Sequence, residues 1–359
     1  MMKKSKTEER INKAFLKKFE REDKIKNAYL LVNSEKLDIN LRLAAGKTGD
    51  IKADPSQPNY MASVGKIFTA TLIGILKENG QLDFEDSITD HLDAEIIDGL
   101  HVYKDKDYSK EVKIKHLLQH SSGLEDCFRP LLDKLIQEDN FSINSLEIIE
   151  RSKKNLKPDF KPGRGFNYSD TNYHLLGLIV ENITGKSFPG VLHERIFNPL
   201  KMNDSFMWEL SQPINFPQFP VADFYIDDVH INDITGYGQL DYAGGGVVAS
   251  LDDLLKFMQA LQKGQIIEEK TLDKMKKDKR KLTLGIDYGY GIWQIKTIPL
   301  VMPAKYNSWG VVGVTGAFMF YHPSTESYII GNFNESSYEK KCLRFMMYGV
   351  IKNILKYSA

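Results

Sequence analysis

Cysteine is scarce in this chain of 359 residues: Cys127 and Cys342 stand far apart, without the paired spacing of a metal site or a disulfide framework. They read as reduced thiols, and therefore as those of a cytoplasmic protein. An excess charge is also missing. Lys+Arg and Asp+Glu both number 48, so nothing in the overall balance draws the chain to nucleic acid or to an acidic partner. No apolar run reaches the roughly 18 residues that a membrane-spanning helix requires. The opening Met1-Met2-Lys3-Lys4-Ser5-Lys6 leads into more charge rather than into the apolar stretch of a secretory leader. Repeats and low-complexity tracts are absent as well. Gly236-Tyr237-Gly238 and Tyr242-Ala243-Gly244-Gly245-Gly246 are glycine-rich, but they lack the G-x-G-x-x-G register and the following lysine that cradle phosphates. The exclusions leave a protein with no cofactor, no metal, no nucleic acid and no membrane segment, acting on a small molecule, with its oligomeric state open.

What is present begins at Met61-Ala62-Ser63-Val64-Gly65-Lys66, running into the apolar stretch Ile67 to Leu76. Residues three apart on a helix are neighbours, so the side chains of Ser63 and Lys66 meet. A helix apolar on nearly every side is buried, and a lysine at its mouth is desolvated, which lowers its pKa. A neutral amine beside a serine hydroxyl accepts its proton and activates a weak nucleophile. Free N–H groups at the helix start can hold a developing oxyanion. Ser-x-x-Lys alone is weak evidence, because Ser337 and Lys340 repeat it without an apolar helix directly behind. An N-cap serine with a snorkelling lysine is the plain structural alternative.

Along the chain, Ile11, Ala14, Phe15 and Phe19 predict a basic amphipathic helix over 7–22, with Ser5 and Glu8 as its capping box. Its charged face is expected to be solvated. Residues 28–33 and 37–45 read as a β-hairpin. Glycine at 80 closes the helix that carries Lys66, and from there to about 215 the chain is mostly helical. His116 and His120, four apart on a predicted helix, find no third ligand nearby and are expected to be structural. Phe166-Asn167-Tyr168-Ser169-Asp170-Thr171-Asn172-Tyr173 leads into another apolar helix. Ser169 or Asp170 is its expected cap, and the junction presents a phenol on a rigid element. Ser250 caps an amphipathic helix that runs to Leu261 and stops at Gly264. Strands follow over 290–297, 308–314, 317–321 and 327–332. A closing helix turns Leu343, Phe345, Met346, Val350, Ile354 and Leu355 inward. Strands at both ends with helices between predict an α+β fold: one antiparallel sheet flanked by N- and C-terminal helices, with a mostly helical insertion. The expected domains are 1–85 with 220–359, forming the sheet, and 86–219, mostly helical.

Together these pieces resemble the serine β-lactamase and penicillin-binding-protein superfamily. Its class C-like branch, which holds β-lactamases, D-alanyl-D-alanine peptidases and esterases, is the nearest. The resemblance spans about residues 25–355 and rests on ordered segments. These are Ala62 to Lys66, His116-Leu117-Leu118-Gln119-His120-Ser121-Ser122-Gly123-Leu124, Tyr168 to Tyr173, Ala243 to Gly246, and Gly313-Val314-Thr315-Gly316. It implies that Ser63 is acylated, that Lys66 is its base or proton relay, and that Tyr168 orients or deprotonates the serine and shuttles a proton to the leaving group. The implied oxyanion hole is the N–H of Ser63 with that of Val314. Lys47-Thr48-Gly49 imitates a motif of the family, but it precedes the nucleophile in a turn and is read as a decoy.

The chain departs from the family pattern twice. Asp170 stands where the family often has Asn, and a carboxylate there pairs with Lys66 and holds it charged. Val311, in Trp309-Gly310-Val311-Val312-Gly313, stands where the third motif usually has Lys or His; a shifted alignment onto Val314-Thr315-Gly316 also gives valine. Valine cannot donate a hydrogen bond or attract a carboxylate. Lys281 and Lys305 are the candidates for a charge supplied from elsewhere. The sequence thus predicts a serine hydrolase acting through an acyl-enzyme on an ester, amide or small peptide. Ser63, Lys66 and Tyr168 are its catalytic residues, and Asp170, Val311, Gly313 and Val314 lie at the substrate. A catalytically impaired relative that binds a peptide- or ester-like ligand is the alternative.

Overall fold

The computed structural model describes residues 2–138, 141–298 and 303–358. Its main sheet has nine strands: β1 (Asn27–Ser34), β2 (Ile39–Thr48), β3 (Ile51–Lys52), β4 (Arg280–Thr283), β5 (Ile286–Tyr288), β6 (Trp293–Ile295), β7 (Ser308–Gly313), β8 (Ala317–His322) and β9 (Ser327–Asn332). They lie in the order β4-β5-β6-β7-β8-β9-β1-β2-β3, every pair antiparallel. Residues from both ends of the chain therefore build one sheet, as the strand pattern predicts. The expected hairpin is present, with Leu31 opposite Arg42.

Both faces of this sheet are covered, so its central strands read as apolar runs rather than as alternations. On one face Tyr29, Leu31, Val311, Met319 and Ile330 enter a core shared with helix α2 (Lys66–Glu78). On the other, Leu30, Val32, Phe318, Phe320 and Ile329 meet the N-terminal helix α1 (Met2–Phe19) and the C-terminal helices. The period of two along each strand sorts the side chains between these layers. Helix α1 starts at Met2, ahead of the expected box at Ser5, and ends at Phe19. Its buried stripe holds Ile11 and Phe15, as the spacing predicts.

Between the two halves of the sheet lie helices, among them α3 (Thr171–Thr184), and the small hairpin of residues 102–107. Helix α4 (Leu251–Gln262) starts on Ser250, whose hydroxyl accepts from the Asp253 N–H at 3.3 Å. The chain closes with α5 (Glu339–Phe345), a π-helical turn and α6 (Lys352–Ser358). Phe345, Met346, Val350 and Ile354 are buried there, while Leu343 and Leu355 are half-buried. Four elements depart from expectation. The polar β4 and β5 and the helix Glu269–Lys277 carry too little apolar pattern to be read, and the strand expected over 290–297 shortens to β6.

Candidate active site

Ser63 sits on a 3-10 turn, Ala62–Gly65, that leads directly into α2. The non-glycine Ala62 has φ +48 there, a left-handed conformation that costs energy and persists only where surroundings impose it. Those surroundings are backbone. A Cβ added at Gly313 would lie 2.5 Å from the Met61 carbonyl oxygen, and one at Gly65 would lie 2.8 Å from Gly245 Cα. Gly313, expected among the substrate contacts, thus serves close approach: it lets β7 press against the turn that holds Ser63.

Lys66 is fully buried. Its ammonium lies 3.1 Å from Ser63 Oγ, donates to the Gly244 carbonyl at 2.6 Å and forms an ion pair with the Asp170 carboxylate. The Tyr168 and Tyr173 rings flank it, their centroids 5.0 and 5.1 Å from Nζ. Burial alone pushes Lys66 down, but Asp170, followed by Tyr168 and Asp241, outweighs it and holds the lysine above its ordinary value. The expectation of a depressed, neutral lysine is therefore corrected. Asp170 also caps nothing: it occupies the N-cap position of α3, yet its side chain makes no cap bond because it turns to Lys66. Burial pushes the Tyr168 phenol up, and the neighbouring ammonium only partly offsets this. The resting triad is an alcohol, an ammonium and a phenol.

A cavity of about 360 Å³ opens on this group. Ser63, Tyr168 and Asp170 reach it, with Val312, Val314, Leu282 and Trp293 on the sheet side and Phe128 opposite. Val311 does not line it. Strand alternation turns that residue into the core behind, where it is 1% exposed. Its expected place among the substrate contacts is therefore corrected. Lys281 and Lys305 are exposed and neither lines the cavity.

Three acids escaped the sequence reading because each stands outside any motif: Asp126, Asp241 and Glu339 also line the cavity. Asp126 Oδ1 accepts the Asp170 N–H at 2.7 Å, fixing the start of α3. Asp241 accepts a hydrogen bond from the Tyr60 hydroxyl. Burial and the Asp170 charge push both carboxyls up to about 7.

The two histidines have separate tasks. His116 Nδ1 accepts the Lys113 N–H at the start of its short helix, Ile114–Leu118. His120 lies beyond that helix with φ +54, so the expected shared face does not exist. It is buried against Tyr168, and its Nδ1 accepts the Ser169 N–H at 3.1 Å. Ser337 and Lys340 lie on the surface. Thr48, of the decoy tripeptide, accepts the Asp223 N–H at 3.3 Å.

Comparison with known proteins agrees with this fold. The family model described as Beta-lactamase matches residues 25–344. A penicillin-binding protein of Bacillus subtilis is 27% identical over 300 residues, covering 79% of this chain and 63% of its own length. Penicillin-binding protein 4 of Amycolatopsis lactamdurans is 32% identical over 143 residues, 40% of this chain and 34% of its own. The chain thus spans less than two thirds of these curated relatives. Among solved structures, D-amino acid amidase of Ochrobactrum anthropi superposes with a TM-score of 0.79 at 20% identity, covering 98% of this chain and 99% of its own. A penicillin-binding protein of Bacillus halodurans gives 0.71 at 22%, covering 92% and 98%. With the matched model extending over most of the sequence, this chain belongs to the Beta-lactamase family.

Proposed function

We propose that the protein is a serine hydrolase working through an acyl-enzyme, with Ser63 as nucleophile and Lys66 and Tyr168 as its proton relay. The observation that carries this is the 3.1 Å approach of Lys66 Nζ to Ser63 Oγ at the floor of a cavity shared with Tyr168. The deprotonated fraction of the relay takes the Ser63 proton as Oγ bonds to the substrate carbonyl carbon. The carbonyl oxygen becomes an oxyanion facing the N–H groups of Ser63 and Val314. On collapse the C–O or C–N bond breaks, the leaving group takes the proton, and water later cleaves the acyl ester.

The cavity favours acyl groups without a carboxylate. Among the described residues no lysine or arginine lines it, and Lys66, buried behind Ser63, is committed to Asp170, whereas Asp126, Asp241 and Glu339 stand on the wall. Neutral or amine-bearing esters, amides and small peptides fit this balance, with Trp293, Leu282 and Phe128 as the apolar contacts. The amidase neighbour, solved with phenylalanine and with phenylalanine amide, shares the fold and is consistent with such substrates. The sheet domain (1–85 with 220–359) and the helical domain (86–219) form the two sides of the cleft. No helix among the described residues is long and apolar enough to cross a membrane. The two buried, unpaired cysteines support a cytoplasmic location.

Intact mass after incubation with a fluorophosphonate, and separately with a penicillin, tests this reading, with Ser63→Ala as control. The phosphonate adduct is expected on the unaltered protein and not on the variant, with no penicillin adduct. Absence of both adducts would overturn the acyl-enzyme in favour of a binding protein.

A further inference from the structure

We propose that the layer formed by α1 and the C-terminal helices is a docking face for an anionic lipid surface. The chain is neutral overall, but its charge is divided by position. Helix α1 carries seven Lys/Arg against two Glu, and residues 339–358 carry five against one. These two stretches together hold a net charge of +9, and the remainder of the molecule balances it with the opposite sign. They pack side by side on the outer face of the sheet, and their buried residues share one core.

Most of the exposed cations of these helices fall into two stripes. On α1, Lys6, Arg10, Lys13 and Lys17 are exposed at spacings of three and four, which places them along one side of the helix. On the C-terminal rod, Lys340, Arg344, Tyr348, Lys352 and Lys356 recur every fourth residue and are all exposed. Among the described residues, none of these stripe cations forms an ion pair; the pairs nearby, Lys341–Glu22 and Lys24–Asp228, lie outside the stripes. Two large apolar side chains stand out on the same layer, Leu16 at 38% and Tyr348 at 52% exposure. An 18-residue helix is about 27 Å long, so the stripes run along several lipid headgroups.

Charge alone suits any polyanion. The occupant is argued from the shape and the apolar residues. The layer is a pair of rods rather than a groove that would grip a duplex. A leucine and a tyrosine among lysines match the headgroup region, where amphipathic rings and aliphatic chains settle while cations meet lipid phosphate. The buried side of this layer lies on the opposite face of the sheet from α2, and of its residues only Glu339, the first of α5, borders the Ser63 cavity.

Co-sedimentation of the full chain with vesicles of phosphatidylglycerol and phosphatidylcholine at low ionic strength tests this. Binding is expected to those vesicles and not to phosphatidylcholine alone, and to disappear as salt screens the charges. Each stripe lysine contributes roughly fivefold in partitioning, so a Lys13→Glu/Lys17→Glu/Lys352→Glu variant should bind at least tenfold more weakly. Tyr348→Ala should weaken binding while leaving its salt dependence intact. Circular dichroism of each variant confirms that the fold is kept. Equal binding by the charge-reversed variant, or binding to duplex DNA without binding to vesicles, would overturn the proposal.

Discussion

The imidazole of His120 stacks on the phenol ring of Tyr168, with centroids 4.1 Å apart and planes inclined by 30°. Because Nδ1 accepts the Ser169 N–H, the proton sits on Nε2, which donates to the Tyr288 hydroxyl at 3.2 Å. Burial, reinforced by the Lys66 charge, keeps this ring neutral. His120 is therefore a positioning residue: it fixes the face of Tyr168 and the backbone beside it. Replacing it with Ala should lower kcat on the order of tenfold to a hundredfold with little change in KM, as the relay loses its alignment. His120→Asn retains an acceptor for Ser169 and should recover part of kcat. Equal kcat in both variants, with only KM altered, would refute the assignment.

The Lys66–Asp170 pair sets the pH dependence. Because Asp170 leads the influences that hold Lys66 above an ordinary lysine, the reactive deprotonated form is scarce at neutral pH. The acylation rate should climb steadily from pH 6 to 9 without a plateau. In Asp170→Asn the effect of burial on Lys66 is no longer countered by that carboxylate, so the rising limb should move to lower pH. Stopped-flow acylation across this range reads both profiles. For stability the sign is that of a raised lysine: the pair stabilises the fold below the ordinary lysine pKa, and this is lost only as pH rises through the folded value.

Substrate charge gives a third expectation. For two esters alike except that one acyl group carries a carboxylate and the other an amine, kcat/KM should favour the amine by at least about tenfold. Asp126→Asn should narrow that ratio. Since Asp126 and Asp241 are pushed up to about 7, the preference should sharpen between pH 6 and 8 as both carboxyls ionise. A ratio that does not move with pH would count against these acids as the discriminating groups.

Gly313→Ala examines how β7 is held against the nucleophile turn. The new methyl would meet the Met61 carbonyl oxygen and the Ala62 side chain, at 2.5 and 3.1 Å, so backbone must shift. A loss of about 1–3 kcal/mol in stability is expected, with a larger loss of kcat because the same shift displaces Ser63. Denaturant melts and single-turnover labelling separate the two effects.

Legibility of these features in the sequence followed the physics of each. Strands β7, β8 and β9 announce themselves as apolar runs because both faces are covered, and Ser250 announces α4 through its cap. The strand Arg280–Thr283 lies at the sheet edge, half solvated, and leaves no such trace. Ser63, Lys66 and Tyr168 were readable because short spacings and the ordered family segments mark them. Asp126 and Asp241 were not, since only the tertiary fold brings isolated carboxylates to one cavity. The apolar helix alone points to a neutral Lys66, and the Asp170 carboxylate beside it reverses that outcome.

The pairing of β1 with β9 has a bearing on how the chain acquires this structure. Leu31 faces Ile330 in the middle of the sheet, a contact between positions about 300 residues apart, whose closure is entropically slow. During synthesis the hairpin of β1 and β2 emerges well before β9 and waits with one edge unpaired while the intervening residues are made. The long helical stretch can collapse in that interval. The sheet itself is completed only as the last strands leave the ribosome, so the temporary edge of β1 is where a chaperone would be most needed and where premature truncation would be most damaging.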